Sequence, residues 1–445
     1  MARLAKVDRA WLRMEHPANL MMVTGVLTFD APLDMDRLRE TLEARLALFP
    51  RFRQRIEGRR WVDVEGFALG DHLHHIPLPP PADRALLRRR IGALISTPLD
   101  PDGPLWRLTV LENPDGRTVL VARIHHCIAD GFALMFVLLG LTDAGPNAEP
   151  RRTSSEEPPR RGSPLRRALQ ALRRASGDAL RARAVEVSGD LWRLLTLSSQ
   201  PRTRLRGRLG PSKRAAWSAP VPLSEVKAIG RALGGTVNDV LMTAVAGAFR
   251  RYLIAHGEDP AELRCAVPVN LRRPSEMRRL GNHFGLVFVE LPLQLATPGA
   301  RFDALKRHMD RLKRSPEALV LWQVMRITGA APRLFEDVVV RILGAKTSMV
   351  LTNVPGPREP RYLAGERIQT IMFWVPQAGR VGLGVSIFSY AGQVRLGLSV
   401  DARLVHDPER VLEAFESELE ALAELGGAVI GSDPADPTAP SPPPR

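Results

Sequence analysis

The residues of this chain best suited to moving a proton are His125 and His126, followed by Cys127-Ile128-Ala129 and then Asp130-Gly131. A general base acting on a hydroxyl needs a pKa near neutrality and hydrogen-bond reach to the proton. Neutral histidine meets the first condition without tuning. The preceding stretch, Thr118 to Ile124, is rich in Val and Leu and reads as a strand, and a helix is expected from about Asp130 to Gly140. A junction of this kind holds an imidazole rigidly while leaving it accessible. Neighbouring side chains on a strand point to opposite faces, so only one of the two histidines is expected to face a substrate. Asp130 can cap the helix or form a buried ion pair that fixes the loop, and Gly131 allows close backbone approach. Taken alone, the pair fits an ordinary strand end with a capping aspartate as well as it fits a catalytic base.

Other chemistries find less support. There is no Gly-x-Ser-x-Gly elbow, so a serine acyl-enzyme is not expected. His72, His74 and His75 lack a second ligand group at metal-site spacing, and no metal is expected. Two cysteines, Cys127 and Cys265, build neither a disulfide framework nor a zinc site, which fits a reduced, cytoplasmic setting.

The elements that must position these residues fall into two series. A length of 445 residues exceeds one ordinary core, so two domains are expected. In the first 145 residues, strand candidates at Val23–Phe29 and Leu105–Glu112 alternate with helix candidates at Asp34–Leu48 and Arg84–Ile95. Residues 146–215 turn to linker composition and include a basic helical stretch, Leu165 to Leu197, with Arg202 to Arg214 irregular. A second series over residues 216–430 begins with helices at Leu223–Leu233 and Asn238–Tyr252. It continues through several strands, with a hairpin turn at Ala391-Gly392, and closes with a helix from Pro408 to Leu425. Residues 431–445 read as a disordered, Pro-rich tail.

The net charge of +15 invites a nucleic-acid reading, and its distribution opposes one. Between Arg151 and Ala215 there are 17 Lys and Arg against 5 Asp and Glu, leaving the rest of the chain near neutral. The surplus lies between the expected domains and not on a face of either. The opening residues carry no apolar run of signal-peptide length, and no segment approaches the roughly 20 apolar residues of a membrane span.

The motifs extend well beyond the histidines. Lys6-Val7-Asp8-Arg9-Ala10-Trp11 with His16-Pro17 opens the chain, and Phe49-Pro50-Arg51-Phe52-Arg53-Gln54-Arg55, Pro98-Leu99-Asp100 and Pro104-Leu105-Trp106 precede the histidines. Gly235-Thr236-Val237-Asn238-Asp239-Val240, Val267-Pro268-Val269-Asn270-Leu271-Arg272 and Gly281-Asn282 follow, and then Thr352-Asn353-Val354-Pro355-Gly356-Pro357 and Tyr362-Leu363-Ala364-Gly365. In this order, over about residues 4 to 425, the chain resembles the bacterial wax ester synthase/acyl-CoA:diacylglycerol acyltransferase family. That family is similar to the wider CoA-dependent acyltransferases, chloramphenicol acetyltransferase-like enzymes and condensation domains among them.

The resemblance implies an α/β (α+β) fold of two related domains, each a mixed sheet flanked by helices, with a tunnel between them and the histidine motif near its middle. It implies direct acyl transfer from acyl-CoA, a substrate and not a cofactor, to a diacylglycerol or fatty alcohol. His126 would be the base, beside His125, Asp130 and Gly131, with Asp130 orienting the loop through an arginine such as Arg53. Asn238 and Asp239 match a motif thought important for activity and are candidates for substrate binding. They also read as the start of a capped helix, Thr236 with Asp239 three residues on. Asn270 and Asn353 follow apolar strands and are candidates to supply polar groups to the tunnel. The departure is greatest from about Gly145 to Pro211, where the Arg-rich stretch fits docking on an anionic membrane or lipid-droplet surface, or a solvated linker. An idle lipid-binding protein of the same fold and a condensation-type enzyme are the competing expectations.

Overall fold

The computed structural model describes residues 2–146, 198–201, 203–272, 280–312, 321–322, 324 and 333–427. The basic stretch Leu165 to Leu197 and the tail Pro434 to Arg445 lie outside them.

In the first half, helices α1 (Lys6–Arg13), α2 (Met35–Leu46), α3 (Arg84–Ile95) and α4 (Gly131–Leu141) accompany strands β1 (Met22–Phe29), β2 (Leu73–Pro77), β3 (Trp106–Glu112) and β4 (Thr118–His125). Local chemistry sets the helix starts. Asp34 accepts from the backbone N–H of Asp36 and Arg37, Asp83 from that of Leu86, and Asp130 from that of Ala133. In the second half come strands β5 (Lys213–Trp217), β6 (Leu263–Asn270), β7 (Phe284–Leu291), β8 (Met349–Pro355), β9 (Thr370–Trp374), β10 (Leu383–Tyr390) and β11 (Gln393–Asp401). Helices α5 (Leu223–Ala232), α6 (Val237–Ala255), α7 (Pro298–Leu312), α8 (Arg333–Ala345) and α9 (Pro408–Leu425) accompany them.

The second sheet has the order β7-β6-β8-β10-β11-β5, with Val221–Pro222 also paired to β11. Strands β6, β8 and β10 run parallel, and the outer pairings are antiparallel. The first sheet has the order β9-β1-β4-β3-β2, so β9 leaves the second half of the chain and pairs antiparallel with β1. The sheets are mixed and flanked by helices, as the resemblance implies. The division at residues 145 and 216 separates the chain but not the sheets.

The hairpin turn between β10 and β11 is Ala391-Gly392, with φ of 46° and 81°. Two consecutive left-handed residues match the twist of the flanking strands, and glycine makes the second one easy. The reading of Arg202 to Arg214 as irregular is corrected at its end. Lys213 and Arg214 begin β5, and the buried Lys213 ammonium is neutralised by Asp401 at 2.8 Å. A basic strand of this kind shows no signal in local composition, because its counter-charge is far along the chain.

Helix α6 is buried from Asp239 to Phe249, with Val240, Met242, Ala244 and Phe249 among the core residues beneath the second sheet. Among the described residues no single helix is long and apolar enough to cross a membrane; α5 and α6 reach that apolarity only together, bent by 93°.

Candidate active site

Strand β4 ends at His125, and the chain from His126 to Asp130 crosses between the two sheets before α4 begins. The His125 ring is 2% exposed. Its Nδ1 accepts from the backbone N–H of Cys127 at 3.1 Å, which leaves the proton on Nε2, 3.3 Å from the Glu15 carboxylate. Glu15 also accepts from the Met21 backbone N–H at 2.6 Å. His125 therefore points into the protein.

His126 points the other way. Its ring stacks on Trp11, with centroids 4.1 Å apart, lies against Phe284, and lines an apolar cavity. The backbone is held at both ends: its N–H donates to the Met21 carbonyl at 2.7 Å, and its carbonyl accepts from Asn282 Nδ2 at 2.7 Å. Burial pushes the imidazole pKa down to about 4, against the opposing pull of the Asp130 charge. The ring is neutral at physiological pH and has a lone pair available.

Asp130 fulfils both of the roles open to it. Its carboxylate caps α4 through Ala133 N–H at 3.0 Å and accepts from Arg272 Nη1 at 2.6 and 2.5 Å. It also accepts from His283 N–H at 2.9 Å. The arginine is thus Arg272 and not Arg53, whose guanidinium lies over the Phe67 ring. Register explains the choice. Antiparallel pairing of Asn270 with Phe284 turns the chain just past β6, so that Arg272 and Gly281 meet the histidine loop. Arg272 Nη2 donates to the Gly281 carbonyl, and Ala129 bridges to Gly281.

Two further groups complete the clamp. Asp8, fully buried on α1, pairs with Arg51 at 3.1 Å and accepts from Asn282 Nδ2 at 2.9 Å. Arg51 donates to the Ile128 carbonyl at 2.6 Å. Burial raises the Asp8 pKa, and the Arg51 charge opposes the rise. Asp8, Arg51, Arg272 and Asn282 all lie in motifs visible in the sequence, yet no role could be read for them there. Asp8 carried one usable signal. It shares the buried face of α1 with Trp11, three residues on, where an unpaired aspartate would not be tolerated.

The cavity beside His126 has an empty volume of about 1040 Å³ that includes space open to solvent, and both halves of the chain wall it. Alternation along the strands decides who faces it. Ala266 and Pro268 of β6, Phe284, Leu286 and Phe288 of β7, and Val350, Thr352 and Val354 of β8 line it. Their odd or even neighbours, such as Cys265, Val287 and Leu351, pack into the core under α6. A second apolar cavity of about 830 Å³ lies under α4 and shares Gly131, Val354 and Phe373 with the first. Gly131 is not a close-approach glycine: a Cβ there would meet no atom within 4 Å. Its missing side chain leaves space where the two cavities adjoin.

The candidate substrate-binding residues are placed elsewhere. Asp239 is buried in a capping box with Thr236 at the start of α6 and lines neither cavity. Asn238 accepts from Asn353 Nδ2 at 2.9 Å, on the face of β8 turned away from the cavity. Asn270 accepts from the Arg272 backbone N–H at 3.0 Å and shapes the turn that delivers Arg272. The contacts described for all three are with the protein's own groups. Trp106 is likewise a core residue, with Nε1 donating to the Phe52 carbonyl at 2.8 Å. Cys127 is wholly buried, and burial raises its thiol pKa. His72 stacks on Trp106, and His75 lies 2.6 Å from Glu112.

Residues 4–241 match the model of the wax ester synthase/diacylglycerol acyltransferase catalytic domain, and residues 280–423 that of the WS/DGAT C-terminal domain. A curated relative from Mycobacterium tuberculosis (strain ATCC 25618 / H37Rv), named as the diacylglycerol O-acyltransferase tgs1, is 28% identical over 96% of each chain. A second relative from that strain, Rv3087, also named as a diacylglycerol O-acyltransferase, is 29% identical over 95% of this chain and 97% of its own. Among solved structures, the wax ester synthase/diacylglycerol acyltransferase from Marinobacter aquaeolei VT8 superposes with a TM-score of 0.69 at 22% identity, covering 96% of this chain and all of the other. The first condensation domain of the calcium-dependent antibiotic synthetase gives 0.62 at 17% identity, over 96% and 97% of the two chains. At these identities the structural likenesses show the fold alone.

Proposed function

We propose, from the premise that this chain belongs to the wax ester synthase/diacylglycerol acyltransferase family, that it moves a long-chain acyl group from CoA directly to a lipid hydroxyl with His126 as general base. The observation that carries this reading is the His126 imidazole, neutral and pinned by its backbone, facing an apolar cavity walled by both halves of the chain. A cavity of that lining suits acyl chains, and an unprotonated ring suits deprotonation of an alcohol.

In the step itself, His126 takes the proton of the acceptor hydroxyl as its oxygen bonds to the thioester carbonyl carbon. The tetrahedral intermediate collapses by breaking the C–S bond, and the imidazolium returns the proton to the departing CoA thiolate. Ester and free CoA are the products, and no acyl-enzyme forms. His125, Asp130 and Gly131 support the step without touching the reacting atoms. His125 and Asp130 hold the loop, and Gly131 leaves room for a chain. The acceptor is a diacylglycerol or a fatty alcohol, met at an anionic membrane or lipid-droplet surface on the cytoplasmic side.

The test is thiol release from palmitoyl-CoA with diolein or hexadecanol as acceptor, by wild type and His126→Ala. Acceptor-dependent release should fall at least about 100-fold in the variant. Equal activity in a folded variant would remove His126 from the mechanism. The depressed pKa adds a second reading. The base is lost only on protonation, so the acid limb of kcat/KM should fall well below pH 6, near the ring's pKa of about 4. A limb at pH 6 to 7 would mean that the titrating imidazole is not buried as described.

A further inference from the structure

Every residue of β1 is buried except Gly25. Its backbone does not call for glycine. The φ angle is not positive, and a Cβ there would meet nothing nearer than the Ala122 Cβ at 4.0 Å. Glycine inside a strand costs backbone entropy and packs against nothing, so the open space it leaves needs a reason. Pairing extends that space. Phe373 of β9, Gly25, Ala122 of β4 and Leu108 of β3 stand side by side across the first sheet, and all four line the cavity under α4. The rows on either side are bulky, with Leu27 between Ile371 and Leu120, and Ile124 between Val23 and Trp106.

The small pair therefore forms the floor of a groove that runs across the strands, roofed by Leu134, Met135 and Leu138 of α4. Phe373 also lines the cavity beside His126, so the groove begins there and passes first Gly25 and then Ala122. Leu108, Trp106 and Phe52 stand at its far end, the last two edge to face at 5.6 Å. Among the described residues, its lining holds no charged or hydroxyl-bearing side chain. The cavity beside His126 differs, with Asp130, Thr347 and Thr352 in its walls. A dry groove one small residue deep suits a single unbranched alkyl chain. It does not suit two chains carried on a polar glycerol.

We propose that this groove holds the acyl chain of the thioester, that Gly25 and Ala122 set the length it accepts, and that the acceptor occupies the cavity beside His126. The assignment to the thioester rests on the acyl-transfer reading; the binding of one alkyl chain in the groove does not. Strand spacing makes the groove a ruler. Gly25 stands one spacing past Phe373 and Ala122 two, about 5 and 10 Å. One spacing is about the length of four methylenes, with C–C bonds of about 1.5 Å in a staggered zigzag. A block moved from Gly25 to Ala122 thus lengthens the longest accepted chain by about four carbons.

The experiment is titration calorimetry of the full chain with the series from butyryl-CoA to stearoyl-CoA, without acceptor. Turnover of the same series with hexadecanol, and of palmitoyl-CoA with alcohols of graded length, is measured in parallel. Wild-type affinity should rise with chain length, about fourfold per buried methylene. In Gly25→Val the rise should stop early, and palmitoyl-CoA should bind at least about tenfold more weakly than to wild type. In Ala122→Val it should stop about four carbons later. Neither variant should change the order of preference among alcohols. The thermal midpoint of Gly25→Val should not fall, because valine favours a strand and has room there. A fall in stability with the acyl profile unchanged would make Gly25 structural and overturn the proposal. So would an unchanged profile in both variants, or wild type that binds no acyl-CoA. A shift among alcohols in place of acyl chains would exchange the two cavities and overturn it as well. If the binding profile shifts as expected but no acceptor is turned over, the groove stands and the acyl-transfer reading fails.

Discussion

His126 depends on a charge it does not touch. Asp130 and Arg272 form a buried pair whose geometry fixes both the start of α4 and the turn at Gly281, and the histidine loop runs between them. Removing one partner of such a pair leaves the other as an uncompensated buried charge, which typically destabilises by about 3–5 kcal/mol. Arg272→Ala should therefore lower the urea midpoint by about that free energy and abolish turnover. Arg272→Lys should recover part of the stability but little activity, because an ammonium cannot reproduce the fork that reaches Asp130 and Gly281 together. Activity in Arg272→Ala close to wild type would show that the loop is held by Asp8, Arg51 and Asn282 alone. At this scale the sequence was half legible. The histidines and Asp130 were identifiable by type and spacing, whereas Arg272 lies 142 positions from its partner and carries no local sign of it.

The helices show which of the sequence motifs are architecture. Thr236 and Asp239 satisfy each other's backbone N–H groups at the start of α6, and Asn238 braces Asn353 across the same end of β8. A capping residue contributes about 1 kcal/mol. Thr236→Ala should lose about that much stability in a denaturant titration, with kcat and KM for acyl-CoA within about twofold of wild type. A large rise in KM without a stability change would return this segment to the substrate. Element boundaries followed from periodicity and punctuation where a helix had an acidic cap or a strand a clear Val-rich run, as in α3 and β7. They failed for β5, whose basic residues read as linker until the pairing with β11 and Asp401 was seen.

The two halves share more than a boundary. Strand β9 completes the first sheet beside β1, Trp374 lies against Trp217 of β5, and Gly92 of α3 approaches the Lys213 backbone too closely for a side chain. The first half does not keep its sheet intact without the second. Unfolding is therefore expected as one cooperative transition, with calorimetric and van't Hoff enthalpies in agreement, and two separated heat-capacity peaks would contradict this. The sequence by itself determined the acyltransferase family, the two-sheet class and the identity of the polar loop, because these rest on residue types in a fixed order along the chain. Only the tertiary structure decided which histidine faces the cavity, which arginine holds Asp130 and that Gly131 leaves space where the two cavities adjoin. Each of those is a contact or an exposure between segments distant in sequence. Burial and register, not local pattern, set them.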